Sequence, residues 1–167
     1  AFAIWDEKEE QFFAARDRFG KKPFYYYEDE GNFIFSSEMK ALWTIGIERK
    51  VDNKMLLNYL TLGHVQNCVD KEQVFYEQVY SLPPSHYLSL KPGKSPISKI
   101  TKYWGINKEI KIDITLNDAV EKFTELFQTS VYRHMRSGAT PGISLSDGIN
   151  SSSIAAVFRS LQPATNQ

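Results

Sequence analysis

The stretch GISLSDGINSSSIAAVF, residues 142–158, decides how the C-terminal part of this chain is read. GISL is short and apolar, and it predicts a buried strand. LSDGIN is a run of turn formers, and the serines that follow open a predicted helix over 151–160. A strand that feeds a tight loop into a helix aims unpaired backbone N–H groups, and the positive end of the helix dipole, at one point. Such a point suits phosphate. Ser146, Gly148 and Ser151 fit the role, because glycine allows close backbone approach and serine hydroxyls add donors. Asp147 opposes it with a carboxylate in the middle of the loop. On spacing alone the plainer reading, a polar turn with an Asn or Ser helix cap, has the better claim, since short phosphate motifs are weak signals.

Upstream, Thr115 with Asp118 three residues on has the form of a capping box and opens a predicted helix to about Arg136. Leu116, Val120, Phe123, Phe127 and Val131 recur at helical spacing and give it one apolar face. Gly138 and Pro141 are placed to stop it. Helix, strand, loop and helix make the opening unit of a parallel α/β sheet. A lone strand cannot bury its own two faces, so this domain is expected to extend further. INKEIKIDI, residues 106–114, is charged and extended and predicts a linker.

Residues 1–36 predict two β-hairpins, with AFAIWD and QFFAARD flanking EKEE, and PFYYYE and NFIFSS flanking DEG. Gly31 is expected to supply a positive φ in the second turn. Ser37 is expected to cap a short helix, EMKALWTI, which Gly46 ends; Asp52 caps NKMLLNYLTL, which Gly63 ends. QVYSL and HYLSL read as short strands, and KPGKSP as a surface loop. AFAIW alternates like the interior of a strand, which suggests a piece of a longer protein.

Composition narrows the class. The 167 residues are 42% hydrophobic and 24% charged, with 20 basic against 20 acidic side chains, so the formal net charge is zero. Nothing electrostatic favours nucleic acid or an anionic membrane. No apolar run approaches the roughly 20 residues of a membrane helix, and no leader opens the chain. The single cysteine, Cys68, sits in the polar loop HVQNCVDKE and reads as an ordinary loop thiol. A reducing, cytoplasmic setting is expected. His64, His86 and His134 are too scattered to suggest zinc. Arg16 and Asp17 read as an intramolecular ion pair or a turn-stabilising contact, Glu38 and Lys40 as a helix start, and Tyr25, Tyr26 and Tyr27 as one strand with alternating faces.

ISLSDGINSSSIAA resembles the S-G-G-x-D-S pyrophosphate loop of the glutamine-hydrolysing asparagine synthetases. FTELFQTSVYRHMRS and TPGISL resemble the segment before that loop. AFAIWD, ARDRFGKKPFYYY, FIFSSEMKAL, LPPSHYL and YW resemble, in order, the second half of the class II glutaminase domain and its exit. The resemblance implies an α+β and α/β architecture. Residues 1–105 would be the C-terminal part of an N-terminal-nucleophile-type glutaminase with antiparallel sheets. Residues 106–114 would link it to the start of a pyrophosphate-loop synthetase domain over 115–167.

The same resemblance implies glutamine, aspartate and ATP as substrates, with Mg²⁺, in the intact protein. Oligomeric state stays open, a homodimer among the options. Leu145, Ser146, Gly148 and Ser151 match ATP-loop positions. Asp147 stands where the family has Gly, Asn150 where it has Asp, and Ser85 where a Gly precedes His-Tyr-Leu. Two like charges 4 Å apart cost about 1 kcal/mol in water and about 4 at an intermediate dielectric, which at the upper value reaches a roughly thousandfold loss of affinity. Impaired ATP use is therefore expected. The family's nucleophilic cysteine and glutamine-binding residues match no position here, so no catalytic residue and no metal ligand is assigned. Two alternatives stand beside the ligase: a related amidotransferase with another carboxylate acceptor, and an inactive copy serving as an interaction module.

Overall fold

A computed structural model describes residues 1–91, 98–136 and 141–162. It divides into two compact units, Ala1–Asn107 and Lys108–Gln167. The first contains β1 (Phe2–Asp6), β2 (Gln11–Ala15), β3 (Tyr25–Glu28), β4 (Phe33–Ser36), α1 (Met39–Trp43), α2 (Asn53–Leu62), β5 (Val79–Ser81), β6 (His86–Leu90) and β7 (Ser98–Lys102). The second contains α3 (Leu116–Met135) and α4 (Ile149–Leu161).

Both expected hairpins form. β1 pairs antiparallel with β2 from Phe2↔Ala15 to Asp6↔Gln11, and β3 with β4 from Tyr25↔Ser36 to Glu28↔Phe33. Their turns are closed by carboxylates: Asp6 accepts the N–H groups of Lys8 and Glu9, and Asp29 those of Gly31 and Asn32. Gly31 stays out of the left-handed region, contrary to expectation, because the Asp29 side chain does the turning.

The strands assemble into a four-stranded sheet, β1-β2-β6-β7, and a three-stranded sheet, β4-β3-β5. Every pairing among the described residues is antiparallel. One core cluster of Ala14, Phe24, Tyr26, Leu82, Leu88 and Leu90 joins the two sheets. Rings interlock around it, with Phe12 5.3 Å from Phe33 and Phe24 stacked 5.4 Å from Phe35. A second cluster of Leu42, Val74 and Val79 lies on the other side of β3, beneath α1. The tyrosine run alternates as its period requires, Tyr26 entering the first cluster and Tyr25 packing on the second. Each fully buried leucine contributes about 1.5–3 kcal/mol, and Leu42, Leu82 and Leu88 are among the most enclosed side chains.

Asp52 caps α2 through Met55 N at 2.9 Å, and Gly63 closes it in the left-handed conformation, as the sequence predicts. α1 departs from expectation. Glu38, not Ser37, occupies its N-cap, and no side chain caps it; the Ser36 hydroxyl instead donates to the Glu38 carbonyl at 2.6 Å. Gly46 does take a positive φ just past the helix. β7 is a strand the sequence hardly shows, because SKITK offers one inward apolar residue, Ile100. Most of KPGKSP lies outside the described residues. Residues 103–115 carry no regular structure.

In the second unit Thr115 caps α3 as predicted, its hydroxyl accepting Asp118 N–H and donating to the Asp118 carboxylate at 2.7 Å. α3 and α4 pack on each other. Residues 142–145 do not form the predicted buried strand: they are unpaired, and Leu145 is 67% exposed. A strand is defined by its neighbour, and no strand among the described residues of this unit offers one. For the same reason the apolar face of α3 is mostly uncovered, with Phe123 66% exposed and only Val131 buried.

Candidate functional site

The loop between residues 145 and 151 is built by two serines. Gly148 is the N-cap of α4, so the helix starts at Ile149, two residues before the predicted start. Ser151 folds its hydroxyl back under the loop, donating to the carbonyls of Ser146 and Gly148 at 3.0 Å and accepting Ser146 N–H at 3.1 Å. The two hydroxyls, Ser146 and Ser151, meet at 2.8 Å, and Gly148 N–H reaches Ser146 Oγ at 3.4 Å. Ser146, Gly148 and Ser151 are therefore brought together at the N-terminus of a 13-residue helix, and Leu145 leads into them. A Cβ on Gly148 would meet only Ser146 Oγ, at an ordinary 3.5 Å. Asp147 and Asn150 are both exposed.

In the first unit the densest polar construction surrounds the ARDRFGKKP turn. Asp17 accepts N–H groups from Lys21 at 2.9 Å and Lys22 at 3.0 Å, and more weakly from Phe19. The Lys22 N–H above all, joined by those of Lys21 and Phe19, holds the Asp17 carboxyl down to about 2 against the opposing effect of burial. Arg16 spends its guanidinium on four acceptors, the carbonyls of Lys22, Leu82 and Gly20 and the Ser81 hydroxyl, all at 2.7–2.9 Å. Gly20 is required here: its φ is +65° and a Cβ would lie 2.8 Å from Pro84 Cγ.

Ser85 completes the construction at φ +65° and 5% exposure. Its N–H donates to Asp17 O, its hydroxyl to Arg18 O at 2.8 Å, and its carbonyl accepts Tyr103 N–H at 2.9 Å. Tyr103 adds a bond from its hydroxyl to Arg16 O at 2.7 Å, while Trp104 lies edge-on to Phe19 and under Arg18. Arg16 and Asp17 thus each stabilise the turn through their own partners, which is the second of the two readings the sequence offers.

A cavity of about 450 Å³ opens beside this turn, lined by Arg16, Tyr25, Met39, Asn67, Phe75 and Tyr76 among others. Its wall is braced by Asn67 donating to Gln73 at 2.6 Å and Gln73 donating to Asp52 at 2.9 Å. Burial works against the Asp52 carboxylate, but its bonds from Met55 N–H and Gln73 outweigh it and leave the group below its ordinary range. Asn67 and Gln73 carry no motif in the sequence; the only signal is the Asn-x-x-Asp spacing of a side-chain-closed turn, with Asn67 accepting from Val69 and Asp70. Among the described residues no three His, Cys, Asp or Glu side chains gather as a metal-binding group. No described helix is long and apolar enough to cross a membrane. Cys68 is free and exposed.

The glutamine amidotransferase domain model matches residues 1–104. The chain belongs to the glutamine amidotransferase family. A second model, asparagine synthase, matches residues 122–166 of this amidotransferase chain. It is 35% identical over 158 residues to asparagine synthetase [glutamine-hydrolyzing] 3 of Bacillus subtilis, covering 94% of this chain and 25% of the relative. It is 30% identical to asparagine synthetase [glutamine-hydrolyzing] 2 of the same organism, covering 93% and 22%. It is 29% identical to amidase chry2 of Gibberella zeae, covering 96% and 23%. The chain thus spans about a quarter of the length of these relatives. The family resemblance read from the glutaminase and pyrophosphate-loop motifs is borne out, as is the antiparallel, helix-bearing character of the first unit.

Proposed function

We propose that this chain is part of an ATP-dependent, glutamine-hydrolysing amide ligase of the asparagine synthetase type. The reading rests above all on one observation: two family models match in order along one chain, and synthetase relatives align across both. On this reading residues 1–105 belong to the glutaminase, 106–114 link, and 115–167 open the synthetase domain. The intact protein would release ammonia from glutamine and pass it to aspartate activated by ATP and Mg²⁺ as an acyl-adenylate. Asparagine, AMP and diphosphate would leave. Activation supplies a good leaving group, and enclosure keeps the ammonia from protonation and loss.

The loop fits phosphate in its donor set. The Ser146 and Gly148 N–H groups and the Ser146 and Ser151 hydroxyls converge at a helix N-terminus. Phosphate would compete with bonds these groups already make to one another. Leu145 would lead the chain into the loop. Asp147 would stand against the phosphate charge and Asn150 would bring no charge to Mg²⁺. Because Asp147 is exposed, water screens its repulsion, and the penalty falls toward about fivefold in affinity rather than a thousandfold.

The test is diphosphate release by the full-length protein carrying this chain, with glutamine, aspartate and Mg-ATP. Asparagine formation dependent on all three supports the proposal, and its absence in a folded protein overturns it. Asp147→Gly is expected to tighten Mg-ATP binding by about fivefold; unchanged binding and turnover would remove Asp147 as the cause of any impairment. A related amidotransferase with another carboxylate acceptor is the alternative. Diphosphate released with carboxylates other than aspartate would support it.

A further inference from the structure

The cavity of about 450 Å³ beside the ARDRFGKKP turn belongs wholly to the first unit, and its lining residues are not those of the phosphate loop. Its volume falls in the range of small-molecule sites, roughly 300–1,000 Å³. Aromatic rings supply much of its wall: Tyr25 from β3, Tyr59 from α2, and Phe75 and Tyr76 from the segment before β5. Tyr59 stands edge-on to Phe75 at 6.0 Å, and Phe75 to Tyr76 at 6.2 Å, so the rings brace one another. Among the described residues the hydroxyls of Tyr25 and Tyr59 have no hydrogen-bond partner.

The charge on this wall is of one sign. Arg16 and Lys71 line the cavity, and no described Asp or Glu does. Arg16 is half-buried, and burial works against its charge. Its hydrogen bonds go to carbonyls and a hydroxyl, all neutral. Among the described residues no carboxylate lies within ion-pair distance of it. The nearby carboxylates are committed elsewhere. Asp17 accepts the Lys21 and Lys22 N–H groups, Asp52 the Met55 N–H and the Gln73 amide, and Asp70 the Glu72 and Gln73 N–H groups. Glu72 is bonded to Tyr26, which points to the opposite face of β3 from Tyr25. Lys71 gives one N–H to the Asn67 carbonyl at 3.3 Å and is otherwise unpaired among the described residues.

We propose that this cavity binds a small organic anion with a flat apolar body, an aromatic carboxylate in the simplest case. The ring would lie against Tyr25, Tyr59 and Tyr76, where aromatic surface is already gathered. The carboxylate would supply the counter-charge that Arg16 lacks, take an N–H from Lys71, and accept from the tyrosine hydroxyls. A neutral ligand leaves the cations uncompensated, and an inorganic anion leaves the rings uncovered. The site stands whether or not the loop at 145–151 takes phosphate.

The test compares ligands before it changes residues. The full chain is titrated with sodium benzoate, benzamide and inorganic phosphate at constant ionic strength and followed by ¹H–¹⁵N NMR. Benzoate is expected to shift the amides of Tyr25, Lys71 and Tyr76 saturably at millimolar concentration. Its neutral isostere benzamide is expected to bind about tenfold more weakly, and phosphate to leave these amides in place. Lys71→Gln alters an exposed side chain; it is expected to weaken benzoate about fivefold and to leave benzamide unchanged. Benzamide binding as tightly as benzoate, phosphate matching it, or no saturable benzoate shift at the cavity would each overturn the proposal. An unchanged benzoate affinity in Lys71→Gln would overturn the part given to that ammonium.

Discussion

Ser85 shows how one side chain can offset its own strain. A left-handed non-glycine residue costs about 1–2 kcal/mol, while a hydroxyl bond to a carbonyl returns about 0.5–1.5. The Ser85 hydroxyl makes such a bond to Arg18 O. Ser85→Gly is therefore expected to be neutral within about 1 kcal/mol, and Ser85→Ala to destabilise by about 1–2, since alanine keeps the strain and loses the bond. Urea unfolding of the two variants side by side separates the terms; equal midpoints would refute this account. Asp17 is the complementary case. A depressed carboxyl contributes stability that is present above its unfolded value near 3.8 and is lost as pH falls through its folded value of about 2. Asp17→Asn is expected to cost about 1 kcal/mol at pH 7, the scale of losing a capping carboxylate, and to flatten the acid limb of stability between pH 4 and 2 (roughly, by linkage). A parallel acid limb in the variant would assign the loss to other groups. The R-D-x-x-G-x-x-P spacing made this turn visible in the sequence. Ser85 was marked by the glycine the family carries at its position, but its hydroxyl bond to Arg18 O was not visible, because the partner lies 67 residues away.

At the scale of elements, local signals served where the element satisfies itself. The hairpins, the Asp52 and Thr115 caps and the Gly63 stop each depend on residues a few positions apart. β7 and residues 142–145 depend on what lies beside them, which no window of sequence contains. Asp52 also shows how a cap acquires a tertiary duty. One of its oxygens accepts Met55 N–H and the other accepts Gln73 Nε2. Asp52→Ser would preserve the cap and lose the brace; Asp52→Ala loses both. The alanine variant is expected to cost about 1–2 kcal/mol for the cap, plus about 1 for the stranded Gln73 amide, and serine only the latter. Chemical denaturation gives the ordering, and a serine variant as damaged as alanine would show that the brace alone matters. The loop at 145–151 was legible as a helix-start constellation, because Ser146, Gly148 and Ser151 are close in sequence. Its internal closure through Ser151 was not, since it depends on a rotamer.

At the scale of the whole molecule, the two units are unequally built. Both core clusters, and nearly every side chain below a tenth exposure, belong to the unit ending at Asn107. Among the described residues of the other unit, Val131 alone is buried. Ordering a residue costs about 1–2 kcal/mol of backbone entropy, and one buried valine returns about 1.5–3. Helix caps such as Thr115 add about 1 more. Taken by themselves, two helices cannot be held firmly on those terms while Leu116, Val120 and Phe123 face water. Limited proteolysis of the chain is therefore expected to cut first after residue 107 and to leave a resistant core spanning the two sheets. Thermal unfolding should show one cooperative transition, and Leu82→Ala in the sheet core should lower it by about 2–5 kcal/mol. Phe123→Ser should leave that transition in place and reduce dye binding to exposed apolar surface. If the second unit resisted protease as long as the first, or if Phe123→Ser lowered the main transition as Leu82→Ala does, the division of stability between the units would be wrong.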